Sequence, residues 1–488
     1  MKYNLLFALF LATPFLGLCQ KNNVTSKTAA QRPNILFLMV DDLRPELGCY
    51  GQKEVISPAI DQLAAEGLLF ERAYCQQAIC SPSRTSLLTG QRPDATKVYD
   101  LTTHFRNTIP DVVTLPQFFK QNGYHTEWWG KIFHSTLLDS ISWTQQGDRL
   151  EPASNWKAYV LDESNKIAAK NRNNGPAYEK ADVPDNAYPD GKISEKGIDA
   201  LQRLAKSSQP FFLALGFYKP HLPFNAPAKY WDLYDENDIT LPSRHEYPDR
   251  APELAESDWG ELRKYWQMPK EGKMDESMTK KLIHGYRACV SYTDAQIGKV
   301  LQELKRLHLD ENTIVVLLGD HGWKLGEYGA WSKHTNFEID TRVPLIIKVP
   351  KMKNPGIKTK SLVEFVDLYP TLGAMAGLEL PGNLPGVPLS PLFQNPELEL
   401  KAGAISQYPR GKLMGHSIRT NKFRYTRWQM RSNPSVVVAT ELYDMEKDPQ
   451  STVNVAGRPA YSGEIERLDL LLKKLKKVTP AAAASARK

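Results

Sequence analysis

Four stretches of the chain are apolar almost without interruption: Asn34 to Val40, Phe211 to Leu215, Thr313 to Leu318 and Pro344 to Val349. A strand with one face in water alternates, whereas an unbroken run belongs to a strand covered on both sides, as in a mainly parallel sheet. Between these runs the apolar positions recur at three and four. Pro58 to Glu66 places Ile60, Leu63 and Ala64 on one side, and Leu115 to Asn122 forms a short helix ending at Gly123. Tyr286, Cys289, Val290, Thr293, Ile297, Val300, Leu301 and Leu304 trace the longest amphipathic helix. Strands alternating with helices predict an α/β sandwich with helices on both faces of the sheet.

From Leu378 to Ala402 the pattern dissolves into proline, leucine and polar residues, which reads as a crossing to a smaller C-terminal unit. There Ser417–Thr420, Phe423–Trp428 and Glu441–Asp444 have the look of an antiparallel sheet, and Glu464 to Lys477 of a helix. The expected organisation is a signal over 1–19, a catalytic domain over 32–380, an α+β subdomain over 400–478 and a disordered alanine-rich tail over 479–488.

The N-terminus carries an export pattern: Lys2, then an apolar stretch from Leu5 to Leu18 too short to span a bilayer, with Gly17 and Cys19 small enough for a cleavage site. This predicts a periplasmic or secreted protein. Lipidation of Cys19 is the alternative, although Leu18 departs from a lipobox. No later segment is long and apolar enough for a membrane span. The other cysteines are Cys49, Cys75, Cys80 and Cys289, too few for a disulfide framework; a Cys49–Cys75 bridge is conceivable, and sequence leaves it open. At 488 residues and 41% hydrophobic content the chain can bury a large core. Its formal charge of +7 fits an anionic substrate without identifying one. Without a lysine/arginine block or zinc-finger spacing, nucleic acid is not an expected partner.

Chemistry concentrates in a few short strings. Cys80-Ser81-Pro82-Ser83-Arg84 is followed by Thr85-Ser86-Leu87-Leu88-Thr89-Gly90. Pro82 suits the first turn of a helix, which places Cys80 just ahead of an N-terminus where free N–H groups favour an oxyanion. Asp41-Asp42 follow the first apolar run and Asp320-His321 follow the third. In open α/β sheets the carboxyl ends of strands meet at the ligand crevice, so these groups can converge there. Clustered carboxylates repel one another unless a cation joins them, and an oxygen-rich set favours calcium over zinc. Taken singly, each string has a plainer reading: a buried structural cysteine, or aspartates capping loops.

The cysteine string resembles the C-x-P-S-R signature of type I sulfatases. Asp320 to Lys333, Gly130 to His134, Lys219 to Phe224 and Ser417 to Thr420 resemble segments of the iduronate-2-sulfatase branch of that family. The resemblance implies an alkaline phosphatase-like sandwich with a large mixed, mostly parallel sheet, plus a smaller domain with an antiparallel sheet. It implies that Cys80 is oxidised to formylglycine by a formylglycine-generating or anaerobic sulfatase-maturating enzyme. One Ca2+ would be held by Asp41, Asp42, Asp320, His321 and residue 80. Arg84, Lys131, His134, His221 and Lys333 would surround the sulfate, with Arg84 and Lys131 on non-bridging oxygens and Lys333 and His221 at the leaving oxygen. One hydroxyl of the aldehyde hydrate would attack sulfur and the other expel sulfate. The disulfides of the animal lysosomal enzyme have no counterpart cysteines here, so its maturation is not carried over.

The implied substrate is a sulfated polysaccharide or oligosaccharide, either a uronate 2-sulfate of a glycosaminoglycan or an algal glycan such as ulvan or carrageenan. Two rivals stand beside it: a phosphate or phosphonate ester hydrolase of the same group, and an unconverted protein that only binds sulfated glycan. Segments His104–Pro110, Leu137–Pro189 and Pro227–Glu271 are expected to shape subsites. Their Trp143, Trp156, Trp231 and Trp266 could stack on sugars or pack their own loops.

Overall fold

Alternate side chains of the strand Asn34–Val40 leave opposite faces of its sheet. Leu36, Leu38 and Val40 enter one apolar core, and Ile35, Phe37 and Met39 enter another. The computed structural model describes residues 32–150 and 157–477. The expected signal with Cys19, Trp156 and the expected tail lie outside these described residues. Asn34–Val40, Phe211–Phe217 and Thr313–Gly319 are buried along their whole length, which is why their sequences carry no polar face.

The large sheet has seven strands, in the order Ile357–Thr359, Leu68–Phe70, Leu345–Lys348, Thr313–Gly319, Asn34–Val40, Phe211–Phe217, His125–Gly130. The last four run parallel to one another, while Leu345–Lys348 is antiparallel to both its neighbours, so the sheet is mixed. Helices Pro58–Glu66, Pro189–Leu204 and Glu276–Arg306 cover one face. Helices Cys80–Thr89, Leu115–Gln121 and Leu368–Met375 cover the other. Each fully buried aliphatic side chain in these layers contributes about 1.5–3 kcal/mol relative to exposure. The long helix begins earlier than its apolar stripe, at Glu276, because the Asp275 side chain accepts the Met278 N–H at 2.8 Å and caps it.

A second sheet of four antiparallel strands, Ala404–Arg410, Leu413–Arg419, Phe423–Met430 and Val437–Asp444, closes the chain. Helix Ser462–Lys477 packs Leu468 and Leu472 on its Ile405, Ile418, Tyr425 and Leu442. Two strands, His125–Gly130 and Ala404–Arg410, carry no apolar run. Both are sheet edges, where polar residues and Pro409 are tolerated. From Arg32 onward the chain packs as one unit. Cys49, Cys75, Cys80 and Cys289 are free thiols, so the conceivable Cys49–Cys75 bridge is not formed. Among the described residues no helix is long and apolar enough to cross a membrane.

Candidate active site

The four parallel strands end in step. Val40 pairs with Gly319 on one side and Phe217 on the other, and Gly130 pairs with Gly216. The backbone bonds continue one residue beyond: Asp320 N–H to the Val40 carbonyl at 3.0 Å, Asp41 N–H to Phe217 at 3.1 Å and Lys131 N–H to Gly216 at 2.7 Å. Asp320, Asp41 and Lys131 therefore stand in a row at the carboxyl edge of the sheet. The approach of the last two strand ends needs glycines. A Cβ on Gly130, whose φ is +78°, would strike the Gly216 carbonyl, and one on Gly216 would strike the Lys131 carbonyl. Asp42 follows in the left-handed region, φ 59°, turning its side chain back toward this row.

Helix Cys80–Thr89 points its N-terminus at the same edge. It starts at Cys80 itself, with Ile79 as N-cap, rather than after it, because Ser83 N–H already bonds the Ile79 carbonyl at 3.1 Å. Cys80, Ser83 and Arg84 share one face. Ser83 donates to the Asp320 carbonyl at 2.6 Å, and Arg84 ties Asp320 (2.8 Å) to Asp41 (3.0 Å) while donating to the carbonyls of Lys131 and Ile132. Lys131 bonds Asp41 through its Nζ, which lies 3.7 Å from the Cys80 sulfur, and His321 Nε2 lies 3.3 Å from that sulfur. Burial would raise the Asp41 carboxyl, but Lys131 and Arg84 hold it well below the carboxylate range. Asp42 is pushed by burial up to about 7 against the pull of Lys333. Burial, aided by Asp41, drives the Cys80 thiol well above its ordinary value, so as a plain cysteine it is not a thiolate.

In front of Cys80 opens a cleft of about 610 Å³, lined among others by Lys131, His134, Arg149, Lys157, His221, Asp258, Glu261, Lys264, Tyr265 and Lys333. Lys333 Nζ donates to Asp42 at 2.9 Å and meets Glu261 at 3.0 Å. Burial works against its charge, yet Asp42 and Glu261 hold its pKa well above the usual lysine value. His221 faces acceptors at both ring nitrogens, the Leu222 carbonyl at 2.5 Å and Glu261 Oε1 at 3.1 Å. Burial and Lys333 pull its pKa down, and Glu261 opposes them. His134, with a buried Nδ1 that finds no hydrogen-bond partner among the described residues, is held down to about 2 by burial and Lys131.

The sulfatase family profile matches residues 33–378. The chain belongs to the sulfatase family, and it is a sulfuric ester hydrolase. Residues 326–478 also match the C-terminal domain of N-sulphoglucosamine sulphohydrolase. The chain is 36% identical to iduronate 2-sulfatase of Mus musculus, over 90% of its own length and 94% of that protein's. It is 31% identical to a sulfatase of Formosa agariphila, over 94% and 91% of the two chains. In fold it is similar to BT4656, solved with its substrate D-glucosamine-2-N,6-O-disulfate (TM-score 0.74, 23% identity, 92% and 99% covered). It is equally similar to the phosphonate monoester hydrolase of Agrobacterium radiobacter (TM-score 0.73, 20% identity, 91% and 95% covered), so the fold alone does not select the ester.

The sulfatase brings together Asp41, Asp42, Cys80 and His321, whose ligand atoms lie within 4.8 Å of one another. Asp320 stands beside this set, its oxygens taken by the Asp42 N–H (3.0 Å) and Arg84. The donors are two carboxylates, one imidazole and one sulfur, a set that fits a divalent cation and becomes harder if residue 80 carries oxygen. Asp42, His221 and Glu261 form a second converging set. Lys333 Nζ bonds two of the three, Asp42 and Glu261.

Of the residues expected around the sulfate, Lys131, His134, His221 and Lys333 line the cleft, whereas Arg84 does not. Only 1% exposed, it spends its donors on Asp41, Asp320 and backbone. Trp143 and Trp231 are buried in the two cores and Trp266 is exposed, and none of the three is among the residues lining the cleft. Glu261 escaped the sequence reading. It lies on a four-residue helix, Gly260–Arg263, inside a polar segment. The signal that could have found it is the spacing of Trp259, Leu262 and Tyr265, all buried, which pins that turn against the core.

Proposed function

We propose that this sulfatase removes sulfate from sulfated polysaccharides or their oligosaccharides, with a uronate 2-sulfate as the leading substrate. The observation that carries this is the cleft in front of Cys80, whose lining among the described residues sets Lys131, Arg149, Lys157, Lys264 and Lys333 against Asp258 and Glu261, with Asp41 and Asp42 behind it paired to Lys131 and Lys333. Such a surface favours a polyanion over a small neutral ester. The likeness to iduronate 2-sulfatase supports the same choice, and so does the 29% identity to an ulvan-active sulfatase of Formosa agariphila, over 91% of this chain and 81% of that one. Algal glycans such as ulvan or carrageenan are the second candidates.

In this reading Cys80 is converted to formylglycine by a formylglycine-generating or anaerobic sulfatase-maturating enzyme, and residues 1–19 export the protein to the periplasm or medium. One Ca2+ would be held by Asp41, Asp42, His321 and residue 80, with Asp320 closing the set; when bound it supplies positive charge to the nucleophilic oxygen and the sulfate. Lys131, beside both Asp41 and residue 80, holds a non-bridging sulfate oxygen. His134, kept neutral, orients the hydroxyls of residue 80. His221 and Lys333 meet the leaving oxygen, where a fixed donor is worth more than in water. Arg84 braces the carboxylates from behind.

The phosphoester rival is disfavoured because the relatives at 31–36% identity are sulfatases, and because Lys333 already bonds two of the three residues of the second converging set. The test is release of inorganic sulfate from a 2-sulfated uronate disaccharide by protein whose residue-80 peptide shows the aldehyde mass. Cys80→Ala should abolish that release with the fold intact. Turnover of phosphate esters outpacing sulfate esters would overturn the reading, and sulfated-glycan binding by fully unconverted, inactive protein would favour the binding-only rival.

A further inference from the structure

We infer that Arg410, on the C-terminal sheet, is a positioning residue for the leaving-group side of the cleft, an inference that rests on the roles proposed above for Lys333 and His221. Its guanidinium makes bonds to two distant turns of the chain and to its own strand. Nε donates to the Leu254 carbonyl at 3.1 Å, and one Nη donates to the Glu256 carbonyl at 2.8 Å and the His334 carbonyl at 2.5 Å. The other Nη turns back to the Pro409 carbonyl at 3.3 Å. Among the described residues no carboxylate lies within ion-pair distance of it, so its donors go to backbone carbonyls and the Tyr408 side chain.

The turns it joins are the two that matter. Residues 254–256 lead into the short helix carrying Glu261, and His334 adjoins Lys333. Glu261 in turn bonds both Lys333 and His221. The distance between these two turns is thus set by one planar fork, which a lysine's single ammonium cannot reproduce. The surroundings keep the fork rigid: it lies 4.5 Å over the Tyr408 ring, and the same sheet holds the next turn through Asn336 to the Gly415 carbonyl (3.1 Å) and Arg424 to the Asn336 carbonyl (3.0 Å). The residues at 333–334 need such a hold, since Ser332 and His334 both have positive φ, 66° and 89°.

The experiment compares wild type, Arg410→Ala and Arg410→Lys on a sulfated disaccharide and on p-nitrophenyl sulfate. Misplacing a reacting group by about 1 Å can cost about 10²-fold. Arg410→Ala should therefore lower kcat on the sugar sulfate by roughly 10–100-fold, with KM little changed and the aryl ester largely spared. Added guanidinium should restore part of that kcat, and Arg410→Lys should not. Crystal structures of wild type and Arg410→Ala should show the Lys333–Glu261 contact broken in the variant. Equal losses on both esters that follow a lower melting temperature and ignore guanidinium would reduce Arg410 to a structural residue. An intact Lys333–Glu261–His221 contact in the variant crystal would overturn the inference. If the wild type releases no sulfate from the sugar, the proposed function fails, and the crystal comparison still decides the role of Arg410.

Discussion

Replacing Arg84 by glutamine separates two roles for the arginine of the cysteine motif. Its guanidinium is buried and pairs with Asp41 and Asp320 at 3.0 and 2.8 Å, with both carboxylates fully buried. Glutamine keeps one amide donor and loses the charge, leaving two buried carboxylates short of a partner. Removing one member of a buried ion pair costs about 3–5 kcal/mol. For a folded unit of this size that is a fall of roughly 3–5 °C in melting temperature. The measurement is thermal unfolding of chelator-treated protein with and without added calcium, beside inhibition of aryl sulfate turnover by inorganic sulfate. Calcium should recover part of the lost stability, since an ion binding only the folded state stabilises it, and sulfate inhibition should change little wherever activity is measurable. Arg84→Gln with an unchanged melting temperature and weakened sulfate inhibition would refute the bracing role and return Arg84 to the sulfate.

His221→Ala should lower kcat on a sulfated oligosaccharide by about 10²–10⁴-fold, the usual range for general-acid catalysis, and comparatively spare p-nitrophenyl sulfate. Equal losses on the two would move the acid to Lys333. Lys131→Ala should damage turnover of both esters, which share the sulfate that Lys131 is proposed to hold. Asp294 accepts the N–H groups of Ala59 (3.1 Å) and Ile60 (2.7 Å) at a helix start, and burial raises its pKa to about 7. A folded pKa above the unfolded one means the native state holds the extra proton, so this contribution is present at pH 4 and is lost as pH rises through 7. Asp294→Asn should flatten that fall, by on the order of 2 kcal/mol between pH 5 and 8 in denaturant titrations.

The central strands were legible because burial on both faces leaves an unbroken apolar run, as in Asn34–Val40. His125–Gly130 was not, because its place at the sheet edge lets it carry Glu127 and His125, paired at 3.2 Å. The metal-ligand candidates were legible as dipeptides at strand ends, since strand order brings Asp41 and Asp320 side by side. The residues that complete the Lys333 side of the cleft were not. Glu261 belongs to no motif, and Arg410 acts on carbonyls 76 and 154 positions away, contacts that no local pattern encodes. For Arg84 the motif suggests a substrate contact, whereas its donors in the structure go to Asp41, Asp320 and backbone.

Lys333 has a consequence for how the enzyme depends on its surroundings. A site that gathers two ions from solution is hostage to the supply of both and can be stripped of either. Here one of the two positive charges is tethered to the polypeptide, at a pKa well above the usual lysine value. Being covalently part of the chain, it cannot be removed by a chelator. Under the proposed one-ion arrangement, removal of the metal should stop turnover in one step while the contacts of Lys333 with Asp42 and Glu261 persist.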